Sequence, residues 1–185
     1  MDEPRRVCEM KQIPLTQGKV ALVDDADYEW LNQWKWCAMK GHNTWYAARY
    51  SSPVNRKQRT IFMHREILGL KFGDPRQTDH RNHNGLANWR DNLRICNGTQ
   101  NQYNRNPQKN HSSEYKGVSW HKRRHKWRAR IFFDNHNIHL GYYASEVEAA
   151  KAYDKAAIEF FGEFALINKN NEPRKCTKDT EFRWN

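Results

Sequence analysis

The sequence predicts an α+β protein built of a small N-terminal α+β unit, a strand–loop–strand–helix unit, and a three-stranded antiparallel sheet packed on one helix. Three observations carry this expectation. Only 37% of the 185 residues are hydrophobic, yet 13% are aromatic and eight are Trp, which fits small aromatic-anchored units better than one large core. Short runs alternate polar and apolar residues as half-buried strands do. One long run, from Ser145 to Gly162, carries helical spacing between an N-cap residue and a terminating glycine.

Residues 1–62 read as the first unit. Lys19 to Val23 is strand-like, and Asp24 and Asp25 stand where a helix N-cap belongs, ahead of an amphipathic stretch from Ala26 to Gln33. Trp34 to Met39 alternates as a strand, Gly41-His42-Asn43 supplies a turn, and Thr44 to Tyr50 returns as its hairpin partner. Thr60-Ile61-Phe62 leads into a short helix, Met63 to Leu70. The tryptophans here read as core anchors rather than as platforms for stacking bases.

Residues 63–104 hold the second unit. Asp79 and His80 close a strand-like segment, and the polar run from Arg81 to Arg90 is a loop. Asn92 to Cys96 forms a second strand with Leu93 and Ile95 facing a core, and Thr99 with Gln102 makes a capping box that starts a helix carrying Asn101. Residues 105–114 are a polar linker and the tail from 169 is polar as well.

In the third unit, 115–168, Tyr115 to Trp120 reads as a strand. Trp127, Ala129, Ile131 and Phe133 alternate on one face of the next, sending Arg128 and Arg130 to the other. Asn137 to Tyr143 supplies the third strand, with Ile138, Leu140 and Tyr142 together. In the helix, Ala149, Tyr153, Ala156 and Phe160, joined by Ala150 and Ala157, form a stripe whose small alanines allow close approach to the sheet.

Charge narrows the partners. The 32 Lys+Arg exceed the 21 Asp+Glu by 11, an excess compatible with solubility, a membrane surface or nucleic acid. No run reaches a membrane-spanning length and no signal-peptide core follows Met1, so the expectation is a soluble intracellular protein. Cys8, Cys37, Cys96 and Cys176 lie too far apart in sequence for a zinc knuckle, and they read as free thiols. The basic residues are also clustered: seven Lys or Arg and no acid lie between Lys116 and Arg130, interleaved with Trp and His. An open arginine-bearing sheet face suits the DNA major groove, where Arg reaches base edges and Lys reaches phosphate.

The second unit carries the chemistry. Phosphodiester hydrolysis needs a base to activate water, a cation to offset charge on the phosphate and leaving oxygen, and fixed geometry. His80 suits the base, Asp79 and Asn101 offer hard oxygen ligands of the kind Mg²⁺ or Mn²⁺ takes, and Asn92 can orient the imidazole. His80 and Asn92 are 12 residues apart, Asn92 and Asn101 nine.

These residues resemble the His-Asn-His (HNH) endonuclease family, in its phage and intron homing branch, over about 62–104. The Met63-His64-Arg65-Glu66-Ile67 segment is similar to the helix that precedes the site there. The resemblance implies a ββα-metal site with His80 as general base, Asp79 and Asn101 as ligands of one Mg²⁺ or Mn²⁺, and Asn92 as the residue positioning His80; from the cysteine spacing no structural zinc is expected. His64 and His83 read as phosphate contacts or structural hydrogen bonders.

Residues 115–168 resemble the plant ethylene-response-factor type of DNA-binding domain, the AP-two domain, through YKGV at 115–118, KWRARI at 126–131, LGYY at 140–143 and the long helix. By it, Lys116, Arg123, Arg124, Arg128 and Arg130 are expected to contact double-stranded DNA. Arg94, on the second strand of the site, is counted with them. Together the resemblances imply a metal-dependent homing-type endonuclease in the cytoplasm of a prokaryotic or phage-infected cell, monomeric and nicking unless it dimerises. The alternative is a DNA-binding regulator that does not cut.

Overall fold

The computed structural model describes residues 9–53, 58–106 and 112–168. The chain divides into two compact units, 1–97 and 98–185. In the first, β1 (Met10–Pro14) pairs antiparallel with β2 (Val20–Asp24), and α1 (Asp25–Asn32) follows at once. Asp24 is the N-cap residue, as expected, but its side chain makes no cap bond: its Oδ2 accepts from Arg90 N at 2.7 Å.

A second sheet has the order β3 (Cys37–Lys40), β4 (Trp45–Tyr50), β5 (Thr60–Phe62), all antiparallel. The strand expected from Trp34 begins only at Cys37. Trp36 is instead buried to 1% with its indole Nε1 donating to Leu31 O at 2.8 Å, so the alternating pattern served the end of α1 rather than the sheet. Helix α2 (Met63–Ile67) is shorter than expected, because Gly69 N and Leu70 N turn back onto the carbonyls of Glu66 and Arg65.

Strands β6 (Gln77–His80) and β7 (Leu93–Cys96) pair antiparallel, Asp79 opposite Arg94 and His80 opposite Leu93. One core unites these elements. Ile13, Val23, Leu31, Trp36 and Ala47 pack in the same cluster as Met63, Ile67 and Leu93. Each large apolar side chain so buried contributes about 1.5–3 kcal/mol. A boundary at 62/63 therefore does not separate two cores, and residues 9–53 are part of the body that carries the strand pair.

The second unit starts with α3 (Gly98–Tyr103), one residue before the expected cap, so Thr99 lies inside the helix. Strands β8 (Val118–His121), β9 (Lys126–Phe133) and β10 (His136–Tyr143) form an antiparallel sheet with β9 central, packed by α4 (Glu146–Phe161). Strand β8 starts three residues later than expected. Gly117, at φ +77, turns the chain there, and a Cβ on it would sit 2.0 Å from the Tyr153 ring.

Ala129 and Ile131 face α4, whose Ala149, Ala150, Ala156 and Ala157 are buried as the stripe requires. Phe161 rather than Phe160 is the buried phenylalanine of the last turn, stacked on Tyr103 at 3.8 Å between ring centroids. Ser145 precedes α4 without a side-chain cap bond, so no capping box forms with Glu148. A bulge between His139 and Gly141 shifts the register of β10, turning Tyr143 toward the α4 core and Tyr142 toward His121, His139 and Arg124. The expectation that Tyr142 shares a face with Ile138 and Leu140 is corrected by that extra residue.

Cys37 and Cys96 are free thiols, while Cys8 and Cys176 lie outside the described residues, as do 107–111 of the expected linker and the tail from 169. No described helix is long and apolar enough to cross a membrane.

Candidate active site and nucleic-acid interface

Asp79 and His80 end β6, each only 7% exposed. Successive strand residues point to opposite faces, so the two side chains leave the strand in different directions. Asp79 meets Arg94 across the ladder: Arg94 Nε donates to Asp79 Oδ2 at 2.8 Å and its terminal nitrogen bonds the same oxygen. Arg94 is itself 7% exposed. It compensates a buried carboxylate rather than presenting a guanidinium to DNA, which corrects its assignment as a DNA contact. Ile95, expected in the core, is correspondingly exposed.

His80 faces a wall of rings. Tyr46 lies 6.0 Å and His64 5.1 Å away between centroids, and Phe62 stacks on His64. Burial lowers the His80 pKa below the ordinary histidine value, against opposing effects from its hydrogen bond with Asn88 and the charge of Asp79. The imidazole is therefore neutral near pH 7, the form a general base needs. His64 is pushed down to about 3, first by burial and then by His80 and Arg65, and its Nδ1 is buried with no hydrogen-bond partner.

The hydrogen-bond partner that the structure gives the His80 Nε2 is Asn88 Oδ1, at 3.1 Å. Asn92, expected to orient the imidazole, holds the loop instead. Its Nδ2 donates to Ala87 O at 2.7 Å and Asn82 Oδ1 at 3.0 Å, and its Oδ1 accepts from Asn82 N at 3.0 Å. It acts on His80 one step removed, by fixing the backbone beside Asn88.

The rest of the unit holds that loop from outside. Leu22 N donates to Leu86 O and Leu22 O accepts from Asn88 N, at 2.9 and 2.7 Å. Arg90 makes a two-pronged bond to Asp27 of α1, at 2.8 and 2.7 Å, and Asp27 also accepts from Trp30 Nε1. Gly85 N donates to Thr44 Oγ1, and a Cβ at Gly85 would stand 2.4 Å from Trp45 O, so only glycine fits under β4. Asn88, Arg90 and Asp27 escaped the sequence reading because a run such as Ala87-Asn88-Trp89-Arg90 looks like any polar loop. Only its 0% exposure at Asn88 marks it otherwise.

Asp79, His80 and Asn92 thus belong to one unit. Asn101 lies on α3, in the other. Among the described residues no three His, Cys, Asp or Glu form a metal cluster. The donors named here are a carboxylate and an amide oxygen, which fit a hard cation that keeps most of its ligands as water or phosphate oxygens.

In the second unit, Arg123 and Arg124 are exposed in the β8–β9 turn, with the Arg124 guanidinium 4.6 Å above the Tyr142 ring. Arg130 is exposed on the outer sheet face, and Arg128, half-buried there, donates to Ser119 Oγ at 3.3 Å. Lys116 departs from this group. Its Nζ donates to Tyr103 O at 2.6 Å and Arg105 O at 2.7 Å, closing the C-terminal end of α3. Burial, with Arg105 adding repulsion, brings its pKa down to about 8. Lys116 is a helix cap, which corrects its assignment as a DNA contact.

A buried histidine and aspartate on a strand pair, followed by a basic sheet on one helix, define a chain of two parts, and each part is similar to known proteins. Residues 113–163 are an AP2 domain. Over 58 residues the chain is 48% identical to an AP2-like ethylene-responsive transcription factor of Arabidopsis thaliana, covering 30% of this chain and 17% of that protein. The ethylene-responsive transcription factor WRI1 of the same plant is 47% identical over 58 residues, 30% of this chain and 14% of its own length. The chain is also 32% identical over 129 residues to a protein of Acanthamoeba polyphaga mimivirus named as an uncharacterized HNH endonuclease, covering 68% of this chain and 66% of the viral protein. The chain therefore spans a small fraction of the plant factors and about two thirds of the viral relative.

Proposed function

We propose that this protein is a metal-dependent DNA endonuclease of the homing type, in which the first unit cuts and the AP2 domain holds double-stranded DNA. The observation that carries the reading is His80: a buried, neutral imidazole at a strand end beside Asp79, with a fixed hydrogen-bond partner. A regulator that only binds DNA has no use for that arrangement.

In this reading His80 takes a proton from the water that attacks phosphorus. Asp79 supplies a carboxylate oxygen to one Mg²⁺ or Mn²⁺, with Arg94 offsetting the remaining charge, and Asn101 is the second ligand on sequence spacing alone. When bound, the cation offsets negative charge on the phosphate and the leaving oxygen. Asn92 and Arg90 keep the loop, and with it Asn88, in place. Arg123, Arg124, Arg128 and Arg130 bind DNA through the outer face of the sheet, where Arg can read base edges in the major groove. One site per chain implies one strand cut per binding event.

The test is conversion of supercoiled plasmid carrying random DNA inserts in the presence of Mg²⁺ or Mn²⁺. Nicked circles that disappear with EDTA are the expected result. A folded protein that binds the plasmid pool and leaves it intact at every metal concentration supports the regulator instead.

A further inference from the structure

Strand β9 sends its residues alternately to the two faces of its sheet. Ala129, Ile131 and Phe133 pack toward α4, and Phe133 meets the rings of Tyr103, Phe160 and Phe161. Arg128, Arg130 and Phe132 take the outer face, where Phe132 is 54% exposed and belongs to neither core cluster of the unit. Its cross-strand partner is Asn137, also exposed, and the next pair along that face is Arg130 with His139. Strands β8, β9 and β10 contain no Asp or Glu. The surface around the ring is thus cationic and free of acids, which suits a polyanion. A single apolar side chain on a protein surface needs no partner, but this one projects beside Arg130 from the central strand of the face that holds DNA in the proposed function. Along the base edges of the major groove the apolar group on offer is the C5-methyl of thymine, a group that 5-methylcytosine also carries.

We propose that Phe132 is a specificity-determining residue that packs its ring on a pyrimidine 5-methyl group in the major groove, beside the base edge reached by Arg130. The proposal rests on the reading of the outer sheet face as the DNA-binding face, and it makes that face selective as well as attractive. The arginines do not supply this selectivity: phosphate contacts carry no sequence information, and Arg on base edges selects guanine. Asn137, opposite Phe132, decides between the two methylated pyrimidines. Its carboxamide matches adenine, donating to N7 and accepting from N6–H, whereas guanine offers two acceptors there and leaves the amide oxygen unmet. Thymine paired with adenine is therefore the better partner, and 5-methylcytosine paired with guanine the weaker one.

The full-length protein, kept without divalent metal so that no DNA is cut, first selects duplexes from a random-sequence library. In a selected duplex each thymine is then replaced in turn by uracil, which lacks only the methyl group. At one position or more the wild type is expected to bind the uracil duplex about fourfold more weakly, the worth of one buried methyl carbon. Phe132→Ser is expected to bind the thymine and uracil duplexes equally at that position, and Phe132→Leu to keep most of the preference. The slope of log affinity against log salt should be the same in all three proteins, since residue 132 neutralises no phosphate. Equal binding of thymine and uracil by the wild type at every position overturns the proposal, as does a preference that persists undiminished in Phe132→Ser. Cytosine and 5-methylcytosine placed at the same position separate the two sources of the methyl group. The gain from the methyl is expected to be larger on thymine, and a larger gain on cytosine overturns the pairing with Asn137. If duplexes are bound without any thymine preference, the methyl contact alone fails. If no duplex is bound at low salt, the reading of the sheet face as DNA-binding fails and the methyl contact with it.

Discussion

His64 and His80 are two buried histidines in ring contact, and the same burial serves them differently. In the proposed reaction His80 is the base; His64, with its Nδ1 unpaired, forms part of the wall behind it. The folded-state pKa of His64, about 3, lies below its ordinary value of 6.5. Below pH 6.5 the unfolded chain takes up a proton that the folded chain refuses, so the stability His64 contributes is complete above that pH and is lost as pH falls toward 3. Chemical denaturation from pH 7 to pH 4 is expected to show stability falling with acid, by at most about 1.4 kcal/mol per pH unit from this one group. His64→Phe, which keeps a ring against Phe62, is expected to flatten that slope; an unchanged slope would place the acid sensitivity elsewhere. Asn92 has a separate expectation. Removing its three hydrogen bonds in Asn92→Ala is expected to cost about 2–3 kcal/mol in the same experiment and to slow cutting through the loop.

At the scale of elements, the loop between β6 and β7 is the part on which the proposed cutting depends, and α1 and β2 hold it. Asp27 is 2% exposed and anchors both Arg90 and Trp30. Asp27→Ala is expected to lower stability by about 1–3 kcal/mol and to reduce kcat more than DNA affinity, measured by denaturation and by single-turnover cutting. Equal loss of affinity would mean that α1 touches DNA instead. These contacts also mark where sequence reading stops. Asp79, His80 and the strand pair were legible because a short motif with fixed spacing encodes them, and the sheet-facing alanines of α4 because helical periodicity does. Asn88, the Asp27–Arg90 pair and the inward turn of Arg94 were not, since each depends on a partner far away in sequence. The bulge that turns Tyr142 outward is one extra residue, and period-two alternation carries no sign of it.

At the scale of the whole molecule, binding and cutting are assigned to separate surfaces, which can be disturbed separately. Replacing Arg124 and Arg130, both exposed and outside the core, with Ala is expected to weaken DNA binding and to lower the slope of log affinity against log salt by about 0.9 for each phosphate that is no longer neutralised. Cutting by the DNA-saturated variant should be nearly unchanged, and an unaltered salt slope would take the sheet face out of the interface. Deleting 112–185 is a harsher experiment, because Tyr103 of α3 stacks on Phe161 and Lys116 caps the same helix. Loss of cutting in that truncation would reflect α3 as much as targeting. The most direct test of the central claim compares wild type with His80→Ala on the same supercoiled plasmid at DNA-saturating protein and Mg²⁺, with binding measured in parallel. The account predicts nicking by the wild type, a rate lower by at least about a hundredfold in His80→Ala, and the same affinity for both. Equal rates, or a loss of binding as large as the loss of cutting, would contradict it.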